Sequence, residues 1–157
     1  MKSIKVFTCA LLATLASAAP TTPDETTEAV APKSVSVSYD PKYDDGSMSL
    51  NTVACSNGVN GLESLGYSNF KSLPTFPLIG GAPTIKAWNS PNCGKCYQLH
   101  YTSGKISRSI HVLAIDAAPG GFNIGVTAMN RLTDGMAEQL GRVEATYVPV
   151  ADSVCGM

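Results

Sequence analysis

The stretch that most constrains this chain runs from Ser107 to Asn123, S-R-S-I-H-V-L-A-I-D-A-A-P-G-G-F-N. Between Ile106 and Asp116 the residues are mostly apolar on both alternating faces, which predicts a central strand buried from two sides. The run ends on one carboxylate, Asp116. Ala117, Ala118, Pro119, Gly120 and Gly121 then break the strand before Phe122 and Asn123. A buried strand that hands an acid to a glycine-bent loop is a common way to build a site. His111, the lone polar residue within the apolar stretch Ile110 to Ile115, reads as a rim or core histidine, because no partner motif surrounds it.

The chain ahead of that strand divides in three. Residues 1–18 read as a secretory signal peptide: Lys2 and Lys5 are the positive region and Val6 to Leu15 the apolar region. Ala16-Ser17-Ala18 is the small-residue cleavage site. Residues 19–34 are rich in Thr, Pro and Glu and bury too little apolar surface to offset chain entropy, so a disordered pro-segment or linker is expected. The folded domain is expected over 35–157, soluble, secreted and without a membrane span. Lys and Arg total 11 against 12 Asp and Glu, and the positive residues are scattered, which argues against a nucleic-acid partner. A lightly charged secreted domain suits an uncharged ligand such as a polysaccharide, or an interface.

Of the five cysteines, Cys9 lies in the signal segment and leaves Cys55, Cys93, Cys96 and Cys155. In a secreted domain these imply two disulfides, with three pairings open. Cys93-Gly94-Lys95-Cys96 lacks the βαβ surroundings of a redox pair. A zinc site would need further ligands, and His100 and His111 are the only histidines. No cofactor or metal is therefore called for.

Alternation predicts strands at Val35–Tyr39, Tyr97–Tyr101 and Val143–Val150, besides the central one. Short strands are expected at Met48–Val53 and Ile85–Trp88. A helix is expected over Val126–Leu132, capped by Asn123 or Thr127 and stopped by Gly135. Leu73–Pro83, with its three prolines and Gly80-Gly81, reads as an ordered loop. About six strands with brief helices favour a small closed barrel. These patterns leave the topology open.

Several pieces stand in one order: V-S-V-S-Y-D-P from Val35, V-A-C-S-N-G from Val53, and S-P-N-C-G-K-C-Y from Ser90. The strand aspartate, G-G-F-N from Gly120, G-R-V from Gly141 and the closing Cys155 follow. The set resembles the cerato-platanin family of small secreted fungal proteins across the whole domain. The resemblance implies a mainly β fold, a six-stranded double-psi β-barrel similar to the first domain of expansins, with short helices and long loops. It implies disulfides Cys55–Cys93 and Cys96–Cys155. It implies a protein of the fungal cell wall that binds chitin or other N-acetylglucosamine oligomers, loosens wall polysaccharide without hydrolysis, and acts as an elicitor perceived by a plant surface receptor. Self-assembly at interfaces is a further property the resemblance carries.

Carried over by position, the resemblance places a shallow sugar groove at Asp116, Gly120, Gly121 and Asn123. Ser56, Asn57 and Gly58 join it from the loop after the first cysteine, and Tyr39 and Asp40 from the end of the first strand. Ala117-Ala118-Pro119 departs from the more polar or basic residues often found in relatives. Glycoside hydrolysis ordinarily needs two carboxyl groups. Asp116 is one, and Asp40, Asp44 and Asp45 are the candidates for a second. A single acid suffices in related lytic transglycosylases, so a weak glycan-cleaving enzyme using Asp116 is the alternative. The expectation is a binding protein with no catalytic residue. Otherwise the Asp116 carboxylate only braces its own loop by accepting backbone N–H bonds. Tyr39, Tyr43, Tyr97 and Trp88 have the rings to stack on sugars, but their positions favour packing.

Overall fold

The computed structural model describes residues 30–157. The expected signal peptide, and residues 19–29 of the expected linker, lie outside the described residues. Strand β1, Lys33–Tyr39, follows from the V-S-V-S-Y alternation: Val35 and Val37 are buried, and Ser34, Ser36 and Ser38 are not. It begins two residues ahead of Val35, pairing Lys33 with Tyr147. The remaining strands are β2 (Ile79–Ala82), β3 (Cys96–Ser103), β4 (Ile106–Ala117), β5 (Phe122–Ile124) and β6 (Arg142–Val150). Two helices, α1 (Val126–Thr133) and α2 (Ala137–Leu140), lie between β5 and β6.

The strands form a closed barrel in the order β1-β5-β2-β4-β3-β6, with β6 returning to β1. The β1–β5 and β2–β4 pairs are parallel and the others antiparallel. This is the expected six-stranded double-psi barrel. Strand β4 is its spine. Val112, Leu113, Ala114 and Ile115 are all buried, as the continuous apolar run predicts. β3 pairs along β4 as far as Leu113, and β2 takes over from Leu113 to Ala117.

Inside the barrel Tyr97, Phe122 and Tyr147 meet edge to face, with ring centroids 5.3–5.9 Å apart. Burying the Phe122 side chain alone is worth about 1.5–3 kcal/mol. Burial pushes the Tyr97 hydroxyl above its ordinary pKa, and that hydroxyl shares a 2.7 Å hydrogen bond with Thr84.

Three local expectations are corrected. Met48–Val53 is not a strand: Leu50–Thr52 forms a 3-10 turn capped by Ser49, with only a single bridge from Ser49 to Asn69. Ile85–Trp88 is likewise irregular. Conversely, the loop expected at Leu73–Pro83 contains β2. Its I-G-G-A sequence lacks strand propensity, but a Cβ on Gly80 would stand 2.4 Å from the Asn123 carbonyl oxygen. Glycine is what lets β2 lie between β4 and β5.

The disulfides are Cys55–Cys93 and Cys96–Cys155, as the resemblance implies. They close sequence separations of 38 and 59 residues, worth about 4 kcal/mol each in the chain-entropy view. The turn between Cys93 and Cys96 lies against the spine: Gly94 donates to the Ala114 carbonyl, and Ala114 donates to that of Lys95. Cys55 donates to Ile115. The C-x-x-C spacing is thus a staple on β4.

Candidate functional site

Strand β4 delivers Asp116 to the barrel rim, where its carboxylate meets four donors. Lys42 Nζ (3.2 Å) and the Tyr43 hydroxyl (3.1 Å) donate to Oδ2. The backbone N–H groups of Ala54 (3.0 Å) and Ala117 (2.8 Å) donate to Oδ1. A carboxylate has about four acceptor positions, so its capacity is filled from within the protein. The side chain is 15% exposed. Tyr43 lies 1% exposed at the base of this cluster, stacked on Phe70 at 6.0 Å. Burial first, and then the negative charge of Asp116, push its hydroxyl far above the usual tyrosine pKa.

The three candidate second acids all have local duties. Asp40 caps the 3-10 turn Pro41–Asp44, accepting from Lys42 N at 2.9 Å. Asp44 accepts from the backbone N–H groups of Val126 and Thr127 and so caps α1 from across the chain. The expected caps Asn123 and Thr127 do not fill that role; Gly125 occupies the N-cap position. Asp45 accepts from the Ser47 hydroxyl and backbone N–H, which together hold its carboxyl below the ordinary range.

On the other side of the loop is a shallow pocket of about 220 Å³, lined by Ser38, Ala117, Ala118, Gly120, Gly121, Phe122, Asn123 and Arg142. Asn123 belongs to β5 and not to a loop, opposite Ser38 of β1. The Ser38 hydroxyl donates to Asn123 Oδ1 at 3.1 Å. Arg142, exposed at the start of β6, donates to Ser36 Oγ at 2.8 Å. Gly121 has φ +134°, and a Cβ there would sit 2.1 Å from the Ser36 carbonyl oxygen, so only glycine turns the chain onto β5.

A third surface lies at the loop after Cys55. Ser56 is buried and its carbonyl accepts from Glu63 N. Asn57 is exposed and accepts from the Trp88 indole N–H at 2.7 Å. Of the residues expected in one groove, the pocket therefore gathers Gly120, Gly121 and Asn123. Asp116 belongs to the hydrogen-bonded cluster beside it, and Asn57 and Gly58 to the Trp88 surface. Tyr39 is half-buried at the end of β1, and Asp40 donates its backbone N–H to Ile124. His111 is half-buried across from Gln98 and lines a separate hollow with Arg108, Arg131 and Asp134. Among the described residues no group of three His, Cys, Asp or Glu is placed to hold a metal, and no helix is long and apolar enough to cross a membrane.

A family model described as Cerato-platanin matches residues 35–157. The chain belongs to the cerato-platanin family. It is 55% identical over 145 residues to Allergen Asp f 15 of Aspergillus fumigatus, covering 92% of this chain and 90% of that protein. Its fold matches the crystal structure of cerato-platanin 2 from M. perniciosa with a TM-score of 0.76 at 46% identity, over 80% of this chain and 100% of the other. It matches the solution structure of the fungal elicitor Cerato-Platanin with a TM-score of 0.65 at 39% identity, over 77% of this chain and 96% of that one.

Sequence reasoning missed two polar side chains of this cerato-platanin pocket, Ser38 and Arg142. Both arrive through barrel closure, since β1 and β6 are neighbours only in space, paired Ser38 to Arg142. A signal for Arg142 was present in the G-R-V motif at Gly141. It also missed that Lys42 and Tyr43 hold Asp116, which no local pattern encodes.

Proposed function

We propose that this cerato-platanin is a secreted, wall-associated protein that binds neutral oligosaccharides of the chitin type without cleaving them. One observation carries the reading: the Asp116 carboxylate is an acceptor in all four of its contacts. A lytic mechanism with one acid needs that group to give a proton to the leaving oxygen. An ordinary hydrolase needs a second carboxyl group beside it, and Asp40, Asp44 and Asp45 are tied to backbone N–H groups. The pocket next to Asp116 is shallow and offers the Ser38 hydroxyl, the Asn123 amide and the Arg142 guanidinium. These hydrogen-bond donors and acceptors suit sugar hydroxyls and acetamido groups. A relative described as a fungal elicitor and another described as an allergen support a protein that meets host tissue from outside the cell.

A titration with N-acetylglucosamine oligomers, followed by amide resonances, tests the reading. Shifts centred on Ser38, Gly121 and Asn123 are expected, and they should shrink in Asn123→Ala. No movement of these resonances across the full titration overturns it. New reducing ends or anhydro-sugars released from chitin would overturn the non-cleaving part alone.

A further inference from the structure

Trp88 is the single tryptophan of the chain and is 60% exposed, in a domain whose other large aromatic side chains are mostly buried or half-buried. A large exposed apolar ring invites an explanation when it is also fixed in place. Trp88 is fixed. Its indole N–H donates to Asn57 Oδ1 at 2.7 Å. The next residue, Asn89, sits in the left-handed region at φ 58° and clasps the facing loop. Its Oδ1 accepts from Asn60 N, and its carbonyl accepts from Asn60 Nδ2, both at 2.9 Å. Asn89 N donates to the Ala54 carbonyl, one residue before the Cys55–Cys93 bridge. Gly58, at φ +89°, brings that loop against the ring: a Cβ there would stand 2.6 Å from Asn89 Oδ1 and 3.2 Å from Trp88 Cζ2.

The result is an indole whose polar edge is satisfied inside the protein and whose bulk faces outward among amides. No charged residue occurs between Cys55 and Leu62 or between Ala87 and Asn92. We propose that Trp88, held by Asn57 and Asn89, is a stacking platform for a neutral β-linked hexopyranose chain. A pyranose with equatorial substituents presents a face of C–H bonds that complements the electron-rich face of an indole. The neighbouring amides of Asn57 and Asn60 supply donors and acceptors at the height of the ring substituents. Uncharged segments on both sides of the ring suit an uncharged polymer. The platform extends recognition beyond the Ser38–Asn123 pocket. It rests on the glycan-binding reading for its ligand class and not for its location.

Because Trp88 is the only indole, emission excited at the red edge of the absorption band, where the six tyrosines do not absorb, reports on it alone. The wild type is titrated with hexamers of N-acetylglucosamine and of β-1,4-linked glucose, with amide resonances of Ser38, Gly121 and Asn123 followed in parallel. A saturable emission change with either hexamer is expected. Trp88→Ala should weaken binding about tenfold, the scale of losing one aromatic anchor, with an unchanged thermal midpoint. Trp88→Tyr should restore part of the affinity. Asn57→Ala should lower both the emission anisotropy and the affinity, because the ring is released. Pocket shifts with constant emission, and wild-type affinity in Trp88→Ala, overturn the platform and leave the pocket reading standing. Emission changes without pocket shifts support the platform and overturn the pocket. Silence in both overturns both. Loss of surface activity in Trp88→Ala, with glycan affinity unchanged, also overturns the platform and makes the ring an interfacial contact.

Discussion

Asp116 and Asn123 stand at the two ends of one short turn, and their surroundings differ. The acid meets four internal donors, with an ammonium, a buried tyrosine and two backbone N–H groups converging on it. The amide has one side-chain partner, Ser38, and lines a pocket open to solvent. The charged residue that draws attention in the sequence is the one most completely used by the fold. The face available to a ligand is built from Ser38, Asn123, the exposed Arg142 and glycine backbone.

Removing the acid tests this contrast most severely. Asp116→Ala leaves the Tyr43 hydroxyl, Lys42 and the Ala54 N–H without their partner, and should cost about 3 kcal/mol in chemical denaturation. Glycan affinity of the remaining folded protein should stay near wild type. Normal stability with lost affinity would place the acid in the ligand site after all. Gly121→Ala is the counterpart on the pocket side. Forcing a side chain at φ +134° against the Ser36 carbonyl should cost about 2 kcal/mol and abolish the pocket together with its binding.

Tyr43→Phe probes the acid cluster more gently, at about 1 kcal/mol near neutral pH. Its pH dependence is sharper. The folded tyrosine has a pKa above the ordinary tyrosine value of about 10, so below that pH its contribution is constant. Above it the unfolded chain loses the proton while the folded one keeps it, and stability falls as pH rises. Wild type should lose up to about 1.4 kcal/mol per pH unit more than Tyr43→Phe between roughly pH 10 and 11.5. Parallel urea midpoints for the two proteins would show it; identical slopes would mean that Tyr43 is not shielded. Asn123→Ala is the smallest change in stability, within about 0.5 kcal/mol. It should still weaken chitin-oligomer binding several-fold by calorimetry, and unchanged affinity would move the ligand away from the pocket.

Much of the barrel is legible in the chain because its longer strands carry their own pattern. β4 is a continuous apolar run, and β1, β3 and β6 alternate, so each declares its burial locally. β2 and β5 do not. I-G-G-A and F-N-I are strands because neighbours distant in sequence pair with them, partly in parallel. Gly80 in β2 and Gly121 just ahead of β5 answer to steric contacts with Asn123 and Ser36 that no window of sequence contains. The site divides the same way. The glycines and Asn123 are readable from the G-G-F-N motif, whereas Ser38 and Arg142 join them only when β6 closes on β1. Trp88 has a different reason: short apolar stretches suggest burial, and only the clasp between Asn60 and Asn89 leaves the ring outside.

The arrangement of the two disulfides divides the chain into two covalent rings in series. One ring runs from Cys55 to Cys93 and the other from Cys96 to Cys155, and only Gly94 and Lys95 join them. A protease that nicks the backbone inside either ring releases nothing, because the pieces stay tethered. A cut between Cys93 and Cys96 severs the molecule into an N-terminal piece with β1 and β2 and a C-terminal piece with β3 to β6. Those pieces would still be interlaced, since β1 lies between β5 and β6, and β2 between β4 and β5. The Lys95 ammonium is held by Asp152 at 2.7 Å. The link on which covalent unity depends is therefore drawn onto the body at a residue that trypsin-like proteases would recognise.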